Sequence, residues 1–156
     1  MPRGSVRCKG KPRPEGSMDV RLKLLGSVPL FRGLSERELE EILAAGREVE
    51  FGAGSTIVEE SDEAMDFYLI LSGQASVEVR GRPRGKLGPG DHFGEMSVID
   101  GGPRTATVIA EEPVVALRLD RSKFLALLDQ HGSIGRKLLV ELSGRLRAAE
   151  GALVHW

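Results

Sequence analysis

Residues 66–80, DFYLILSGQASVEVR, contain the pattern that decides the fold of this chain. Apolar or alternating side chains run through both halves of the segment, and Ser72-Gly73 supplies a turn between them. Similar short runs recur on both sides, separated by turns that contain Gly or Pro. Regular spacing of short strands with such turns predicts a β-sandwich or β-barrel. The predicted strands are residues 47–51, 56–59, 66–71, 75–80, 86–87, 105–110 and 114–119.

Two helices are predicted before the strands. Apolar side chains between residues 18 and 27 predict a short first helix. Ser35 and Glu38 have the spacing of a capping box, so a second helix is predicted to begin there and to end near Gly46.

Two further helices are predicted after the strands. Residues 121–131 have a helical apolar pattern that Gly132 ends. Ser133 is placed to cap a last helix over about residues 133–150, which Ser143-Gly144 weakens in its middle. The apolar side chains of this helix are expected to pack along one stripe: Ile134, Leu138, Leu142, Leu146, Ala149 and Leu153.

The composition excludes several classes of protein. With 156 residues, of which 40% are hydrophobic and 29% charged, the chain has the size and composition of one globular domain. The net charge of −1 gives no sign of a polyanion-binding surface, and no apolar run is long enough to span a membrane. One cysteine cannot form an internal disulfide, and the Cys and His residues lack metal-ligand spacing. A cytoplasmic protein without a metal is therefore expected.

The domain is expected to comprise residues 18–156, with the strand region at about 46–120. Residues 1–17 are rich in Pro, Gly and basic side chains and have no apolar period. We interpret them as a disordered leader or as a scar left by cloning. Because these residues hold several of the basic side chains, the rest of the chain is more acidic than the total charge indicates.

Residues 93–108, FGEMSVIDGGPRTATV, interrupt the rhythm of the strands. Residues 94–99 are long enough for a short helix, whose free N–H groups favour an anion, and Gly94 would let a ligand approach the backbone there. Arg104 offers a planar guanidinium to two phosphate oxygens, whereas Glu95 would accept a hydrogen bond from a sugar hydroxyl. These residue types together indicate a site for a phosphate joined to a ribose.

This segment resembles the phosphate-binding cassette of cyclic nucleotide-binding domains. The family pattern is Phe-Gly-Glu, aliphatic and small residues, and then Pro-Arg-Ser/Thr/Ala-Ala-Thr/Ser-Val, and residues 93–108 match it at nearly every position. The resemblance covers about residues 22–150 and includes Gly54 and Gly73. It departs from the family at residues 60–62, where a Gly is usual in the middle; we expect this turn to lie away from the cassette.

The resemblance implies a mainly β fold, namely an eight-stranded jelly-roll β-roll with N-terminal helices, a short cassette helix and two C-terminal helices. It implies that Arg104 pairs with the cyclic phosphate, that Glu95 accepts from the ribose 2′-hydroxyl, and that the last helix is a lid over the purine. Thr105 would reach phosphate or purine. The remaining implied ligand-binding residues would give backbone amides or line the base pocket: Gly94, Met96, Ser97, Ala106, Val77 and Leu87.

Other polar residues receive simpler interpretations. His92 and His131 have no apparent partner in the sequence and are interpreted as ordinary polar positions. Four residues near the C-terminus are candidates for contact with the base, although solvent exposure is the simpler interpretation of each: Arg145, Arg147, His155 and Trp156.

The expected function is a regulatory module that binds cAMP or cGMP, with cAMP preferred, and signals by moving its C-terminal helices. No catalytic residue, metal or cofactor is expected, since the site has neither a positioned nucleophile nor an acid–base pair. Two alternatives place the module in a longer protein. One is the sensory half of a cAMP-dependent helix-turn-helix transcription regulator, and the other is the cytoplasmic sensor of a cyclic-nucleotide-gated ion channel.

The expected partners are the cyclic nucleotide and an effector domain or protein that the sequence does not identify. A homodimer through the last helix is a further expectation from the resemblance. Sequence-specific DNA binding by this chain alone is not expected, because the chain has no recognition helix and no net positive charge.

Overall fold

The computed structural model describes residues 11–12 and 18–153 of the chain. The strands are β1 (Lys11–Pro12), β2 (Arg47–Phe51), β3 (Thr56–Val58), β4 (Phe67–Ser72), β5 (Ala75–Val79), β6 (Arg82–Leu87), β7 (His92–Phe93), β8 (Thr107–Ala110) and β9 (Val114–Leu119). The helices are α1 (Met18–Gly26), α2 (Glu36–Ala45), α3 (Glu95–Asp100), α4 (Arg121–Gln130) and α5 (Gly132–Leu153), with a 3-10 turn at Pro29–Phe31. The other residues of the predicted leader, together with His155 and Trp156, lie outside the described residues.

Strands β2 to β9 form the predicted eight-stranded roll from two antiparallel sheets. One sheet has the strand order β1-β2-β9-β4-β7, and the other has the order β3-β8-β5-β6. Strands distant in the sequence are paired, as in β2 and β9, where Arg47 lies opposite Arg118 and Phe51 lies opposite Val114. The short β1 adds to the outer edge of β2. This connectivity agrees with the predicted jelly roll.

Strands β4 and β9 are buried on both faces and separate two hydrophobic cores. Alternate side chains of β4 point to opposite faces, so Phe67 and Leu69 join the core under the helices, whereas Tyr68 and Ile70 join the core inside the roll. We call these the helix core and the roll core. The helix core also contains the following buried residues: Leu25, Phe31, Ile42, Leu117, Phe124, Ile134 and Leu138.

The predicted capping box of α2 is confirmed. The Ser35 Oγ accepts a hydrogen bond from the Glu38 N–H at 3.2 Å, and the Glu38 carboxylate accepts one from the Ser35 N–H at 2.8 Å. The backbone hydrogen bond from Ser35 holds the pKa of Glu38 below its ordinary value. Local sequence alone therefore fixes where this helix begins.

The predicted turn at residues 81–85 is wrong, because β6 occupies most of it. The turn consists of Arg80 and Gly81, whose φ angles of 55° and 76° are both positive, as in two-residue hairpins. Pro83 and Gly85 are typical of turns, so the sequence did not predict this strand. They are tolerated because β6 is an exposed edge strand, where a missing N–H donor matters little. Strand β7, which has only two residues, has no signal in the sequence.

The prediction that Ser133 caps the last helix is wrong, although the helix begins within one residue of the expected start. Helix α5 begins at Gly132, so Ser133 lies in its first turn, and only His131 separates it from α4. Ser143-Gly144 does not interrupt the helix, which continues to Leu153. Helical hydrogen bonds therefore persist through the weak pair.

The apolar stripe of α5 packs only in its first half. Ile134 and Leu138 are buried in the helix core, whereas Leu146 is 59% exposed. Leu139 and Val140 are more exposed still, at 69% each. The predicted stripe is therefore buried up to Leu138, partly buried at Leu142 and exposed at Leu146. Among residues 11–12 and 18–153, no helix combines the length and the apolar character needed to cross a membrane.

Two glycines with similar backbone angles provide a test of the packing between the sheets. Gly73 has φ +93°, and a Cβ there would meet the Pro113 carbonyl and lie 2.9 Å from the Val114 Cα. Gly54 has φ +83° but nothing within 4 Å of such a Cβ. We expect Gly54→Ala to lower the free energy of unfolding by about 1 kcal/mol through backbone strain, and Gly73→Ala to lower it by roughly 1–3 kcal/mol more through the clash. Urea unfolding measures both variants, and equal losses would contradict the packing described.

Candidate functional site

A cavity of about 510 Å³ lies between the cassette, residues 93–108, and strands β5, β6 and β8 of the roll. The structure brings to this one cavity all nine of the predicted ligand-binding residues: Val77, Leu87, Gly94, Glu95, Met96, Ser97, Arg104, Thr105 and Ala106. The apolar part of the wall comes from Val77 and Leu87, which pack against the roll core, and the polar part comes from the cassette.

Arg104 is the most constrained charged group of the cavity. Its side chain is buried, with 4% of the residue exposed. The Nη2 donates to the Asp66 carbonyl at 2.8 Å and the Nη1 to the Gly94 carbonyl at 3.4 Å. Among the described residues, the Nε has no hydrogen-bond partner and no carboxylate lies within ion-pair distance of the guanidinium. Burial lowers the pKa of Arg104, because the charged guanidinium loses its hydration inside the protein.

The backbone of Arg104 is fixed by the turn at residues 60–62. The Arg104 N–H donates to the Asp62 carbonyl at 2.8 Å, and the Ser61 N–H donates to the Arg104 carbonyl at 2.8 Å. The expectation that this turn lies away from the cassette is therefore wrong. Because β3 pairs with β8, the turn after β3 is brought beside the residues that precede β8. Ser61 adopts a positive φ of 73° there.

Gly94 is required by packing within the protein, because neighbouring atoms occupy the space of a side chain. It has φ +91°, and a Cβ would lie 2.5 Å from the Asp66 carbonyl oxygen and 2.7 Å from the Arg104 Nη1. This requirement adds to the expectation that Gly94 lets a ligand approach the backbone, which stays a prediction. A side chain at position 94 would displace the guanidinium of Arg104.

Glu95 begins helix α3 and is almost fully buried, with 3% of the residue exposed. One carboxylate oxygen lies 2.9 Å from the Nδ1 of His92, and the other lies 3.2 Å from the Nη1 of Arg145. Burial alone would raise the pKa of Glu95, but the hydrogen bond and charge of His92, with the charge of Arg145, hold it below its ordinary value. The cavity therefore contains an ionised hydrogen-bond acceptor.

The interpretation of His92 as an ordinary polar position is wrong. This residue is 8% exposed, and its ring stacks on Phe67 with 5.6 Å between the centroids. Its Nδ1 faces Glu95 and its Nε2 lies 2.9 Å from a carboxylate oxygen of Glu141. Burial lowers the pKa of His92, but the hydrogen bonds and charges of the two carboxylates outweigh it, and the net direction is upward.

The interpretation of His131 as an ordinary polar position is wrong for the same reason. It is 9% exposed, and its Nδ1 lies 3.2 Å from a carboxylate oxygen of Glu38 on helix α2. The partners of both histidines lie on other elements of the fold. No spacing in the sequence could have revealed the pairing of His131 with Glu38 or of His92 with Glu141.

Of the two candidate base contacts that lie within the described residues, Arg145 and Arg147, the structure places Arg145 at the cavity. Its side chain is half-exposed and lines the cavity from α5. It binds Glu95 and also Glu141, whose carboxylate oxygen is 2.6 Å from its Nη2. Its contacts in the protein are therefore with carboxylates, and Arg147 does not line the cavity. Within the described part of the chain, no three His, Cys, Asp or Glu side chains are grouped so that they could hold a metal ion.

The pKa of His92 predicts how stability depends on pH. A histidine whose folded-state pKa lies above its unfolded value binds more protons when the chain is folded, so its contribution is complete at low pH and is lost as the pH rises through the folded value. We expect the melting temperature to fall between about pH 6 and about pH 8. His92→Gln should remove most of this slope, as measured by calorimetry. A slope that is unchanged in the variant would contradict the assignment.

Comparisons with known proteins agree with this geometry. Residues 48–131 match the profile of the family described as "Cyclic nucleotide-binding domain". The "Pycsar effector protein XpPycTIR" of Xanthomonas perforans is 30% identical over 129 residues, which are 81% of this chain and 43% of that protein. The "Cyclic AMP receptor protein" of Thermus thermophilus is 34% identical over 127 residues, which are 78% of this chain and 59% of that protein.

A solved structure shares both the fold and the sequence similarity. The crystal structure of the Thermus thermophilus Catabolite Activator Protein superposes with a TM-score of 0.72 at 34% identity, covering 80% of this chain and 61% of that chain. The chain thus spans between 43% and 61% of the proteins named here. Since the family profile matches more than half of the chain and the cassette lines an internal cavity of the roll, the chain belongs to the cyclic nucleotide-binding domain family.

Proposed function

We propose that this chain is a regulatory module that binds a cyclic nucleotide, with cAMP preferred, and does not catalyse a reaction on it. The observation that carries the proposal is the buried guanidinium of Arg104, for which no carboxylate partner exists among the described residues. A buried charge is unfavourable unless it is paired. The phosphate of a ligand in the cavity would supply the missing partner, and the unpaired Nε is available to it.

The other groups of the cavity fit the rest of a nucleotide. The ionised carboxylate of Glu95 is suited to accept a hydrogen bond from the ribose 2′-hydroxyl. Val77 and Leu87 form an apolar surface suited to a purine. Backbone amides of the cassette, at Gly94, Ser97 and Ala106, would complete the binding of the phosphate. The name of the Thermus thermophilus relative, a Cyclic AMP receptor protein, supports adenine as the base.

We propose further that the signal leaves through α5. This helix is anchored in the helix core by Ile134 and Leu138, and it contacts the cassette through Arg145 and Glu95. A ligand that engages Glu95 would add a hydrogen bond to the carboxylate that binds Arg145 and would so favour this position of the helix. The effector is a further domain or protein. The exposed apolar side chains of α5 suit a homodimer, and the sensory part of a longer regulator is a second candidate, since the chain spans 59% of the Thermus receptor.

Arg104→Lys tests the proposed phosphate contact. An ammonium cannot reproduce the planar fork of a guanidinium, so we expect cAMP affinity to fall by more than tenfold, equivalent to about 1.5–3 kcal/mol. Isothermal titration calorimetry measures the dissociation constant. Arg47→Lys, at an exposed position at the start of β2, is the matched control and should bind like the parent chain. An Arg104→Lys protein that folds and binds cAMP with unchanged affinity would remove Arg104 from the site.

Thr105→Ala tests the choice of base. Thr105 is exposed at the cavity, where its hydroxyl can accept from the 2-amino group of a guanine in the syn conformation. Adenine lacks this group. We therefore expect Thr105→Ala to weaken cGMP more than cAMP by roughly 0.5–1.5 kcal/mol. The proposed preference of the parent chain for cAMP does not come from Thr105; it is supported by the name of the Thermus thermophilus relative. Titration of both proteins with both nucleotides measures the difference. Equal losses would assign Thr105 to the phosphate alone.

A further inference from the structure

Four charged side chains form a closed ring between the cassette and α5. His92 Nδ1 lies 2.9 Å from Glu95 Oε1, and His92 Nε2 lies 2.9 Å from Glu141 Oε1. Arg145 joins the second oxygens of the same two carboxylates, at 3.2 Å from Glu95 and 2.6 Å from Glu141. His92 and Glu95 belong to β7 and α3, whereas Glu141 and Arg145 lie one turn apart on α5. Two contacts join these pairs, His92 with Glu141 and Glu95 with Arg145, and both therefore tie α5 to β7 and α3.

With both carboxylates ionised, the geometry of the four-residue ring calls for a doubly protonated His92. A carboxylate only accepts hydrogen bonds, and a neutral imidazole has one N–H donor and one lone pair. A neutral imidazole of His92 could therefore donate to Glu95 or to Glu141, but not to both. With His92 as an imidazolium, two cations and two anions alternate and the ring is neutral as a whole. Loss of the proton would leave a lone pair facing a carboxylate across 2.9 Å.

The link to Glu141 is the one that deprotonation would break. The Glu95 side chain is 4% exposed, whereas the Glu141 side chain is 38% exposed, so only Glu141 can turn to water at small cost. Its release would detach α5 from His92 and leave Arg145 as the remaining tie. The second partner of Arg145 is Glu141 itself, four residues earlier on the same helix.

Other charged groups lie near His92 but do not replace its two partners. His92 also lines a second cavity, of about 450 Å³. The charged side chains that line this cavity with His92 include Asp91, Arg136, Lys137 and Glu141. The carboxylate of Asp91 accepts from the Gly88 N–H, and Lys137 donates to the Arg32 carbonyl. On the other side, the charged groups that share the nucleotide cavity with His92 are Arg84, Lys86, Glu95, Arg104 and Arg145. From β4, only the uncharged ring of Phe67 stacks on His92.

We propose that His92 is a positioning residue whose protonation holds α5 over the nucleotide cavity, so that cAMP binding by this chain is coupled to a proton. The proposal rests on the proposed function, because it concerns the affinity for cAMP. An intact ring is compatible with the ligand, since a carboxylate has about four lone-pair sites and the ring uses two of those on Glu95. The imidazolium also keeps Glu95 ionised, which leaves both of its oxygens as acceptors, one of them for the ribose hydroxyl. Protonation and nucleotide binding therefore favour each other.

The test is calorimetric titration of the whole chain with cAMP between about pH 6 and about pH 8, a range in which cAMP itself does not titrate. We expect binding to be about three- to tenfold tighter at the acid end. His92→Gln and His92→Phe, the second of which retains a ring against Phe67, should bind with little dependence on pH. Glu141→Gln should weaken the dependence. His131→Gln is the matched control, because it also removes a buried histidine beside a carboxylate but lies outside both cavities, and it should retain the full dependence.

Three results would overturn the coupling. The first is a full pH dependence in folded His92→Gln and His92→Phe proteins. The second is tighter binding at the alkaline end, which would mean that the ring competes with the nucleotide for Glu95. The third is a parent chain whose affinity does not change with pH.

A measurement without nucleotide separates this inference from the proposed function. In NMR spectra of the ligand-free chain, His92 should titrate above the ordinary histidine value of about 6.5 and should titrate lower in Glu141→Gln. Absence of cAMP binding at every pH would refute the proposed function, and the coupling with it, whatever the NMR result. A His92 titration that Glu141→Gln leaves unchanged would refute the ring even where cAMP binds.

Discussion

The burial of one guanidinium, that of Arg104, constrains three segments that are distant in the sequence. The Arg104 Nη2 donates to the backbone carbonyl of Asp66, at the edge of β4. The carboxylate of Asp66 instead pairs with Arg118 on β9. The turn at residues 60–62 holds the backbone of Arg104, and position 94 must be a glycine for the Arg104 side chain to fit. A cation inside a protein is stable only when polar groups are arranged around it. The cassette, β4 and the turn after β3 supply that arrangement here.

The two hydrophobic cores pack against the site from different sides. The roll core fixes the strands behind the cavity and contains no residue of α5. The helix core joins α1, α2, α4 and the first half of α5 to the outer face of β4 and β9. The cassette lies between them, with Val98 in the helix core and Phe93 in the roll core. The cassette is thus packed against both the strands and the helices.

Features encoded by neighbouring residues could be predicted from the sequence, and those that depend on distant contacts could not. The capping box at Ser35 needs only a side chain three residues away, and the cassette is one continuous motif, so both the start of α2 and the residues of the site follow from local sequence. The edge strand β6 was hidden because Pro83 and Gly85 suit a turn as well as an exposed edge. The ring of His92 joins residues 49 positions apart, and only the packing of α5 on the roll creates it.

The uneven packing of α5 has a mechanical consequence. The helix is held by Ile134 and Leu138 near its start, whereas Leu139, Val140 and Leu146 are exposed to solvent. In the proposed signalling the last buried anchor would act as a fulcrum, and the residues from 139 to 153 would form a lever arm about 22 Å long at about 1.5 Å per residue. A tilt of roughly 10° at the fulcrum would move the far end by about 4 Å at that length. Arg145 contacts the arm close to its midpoint, so under the proposed signalling a displacement of a few ångströms there would be approximately doubled at the far end of the helix.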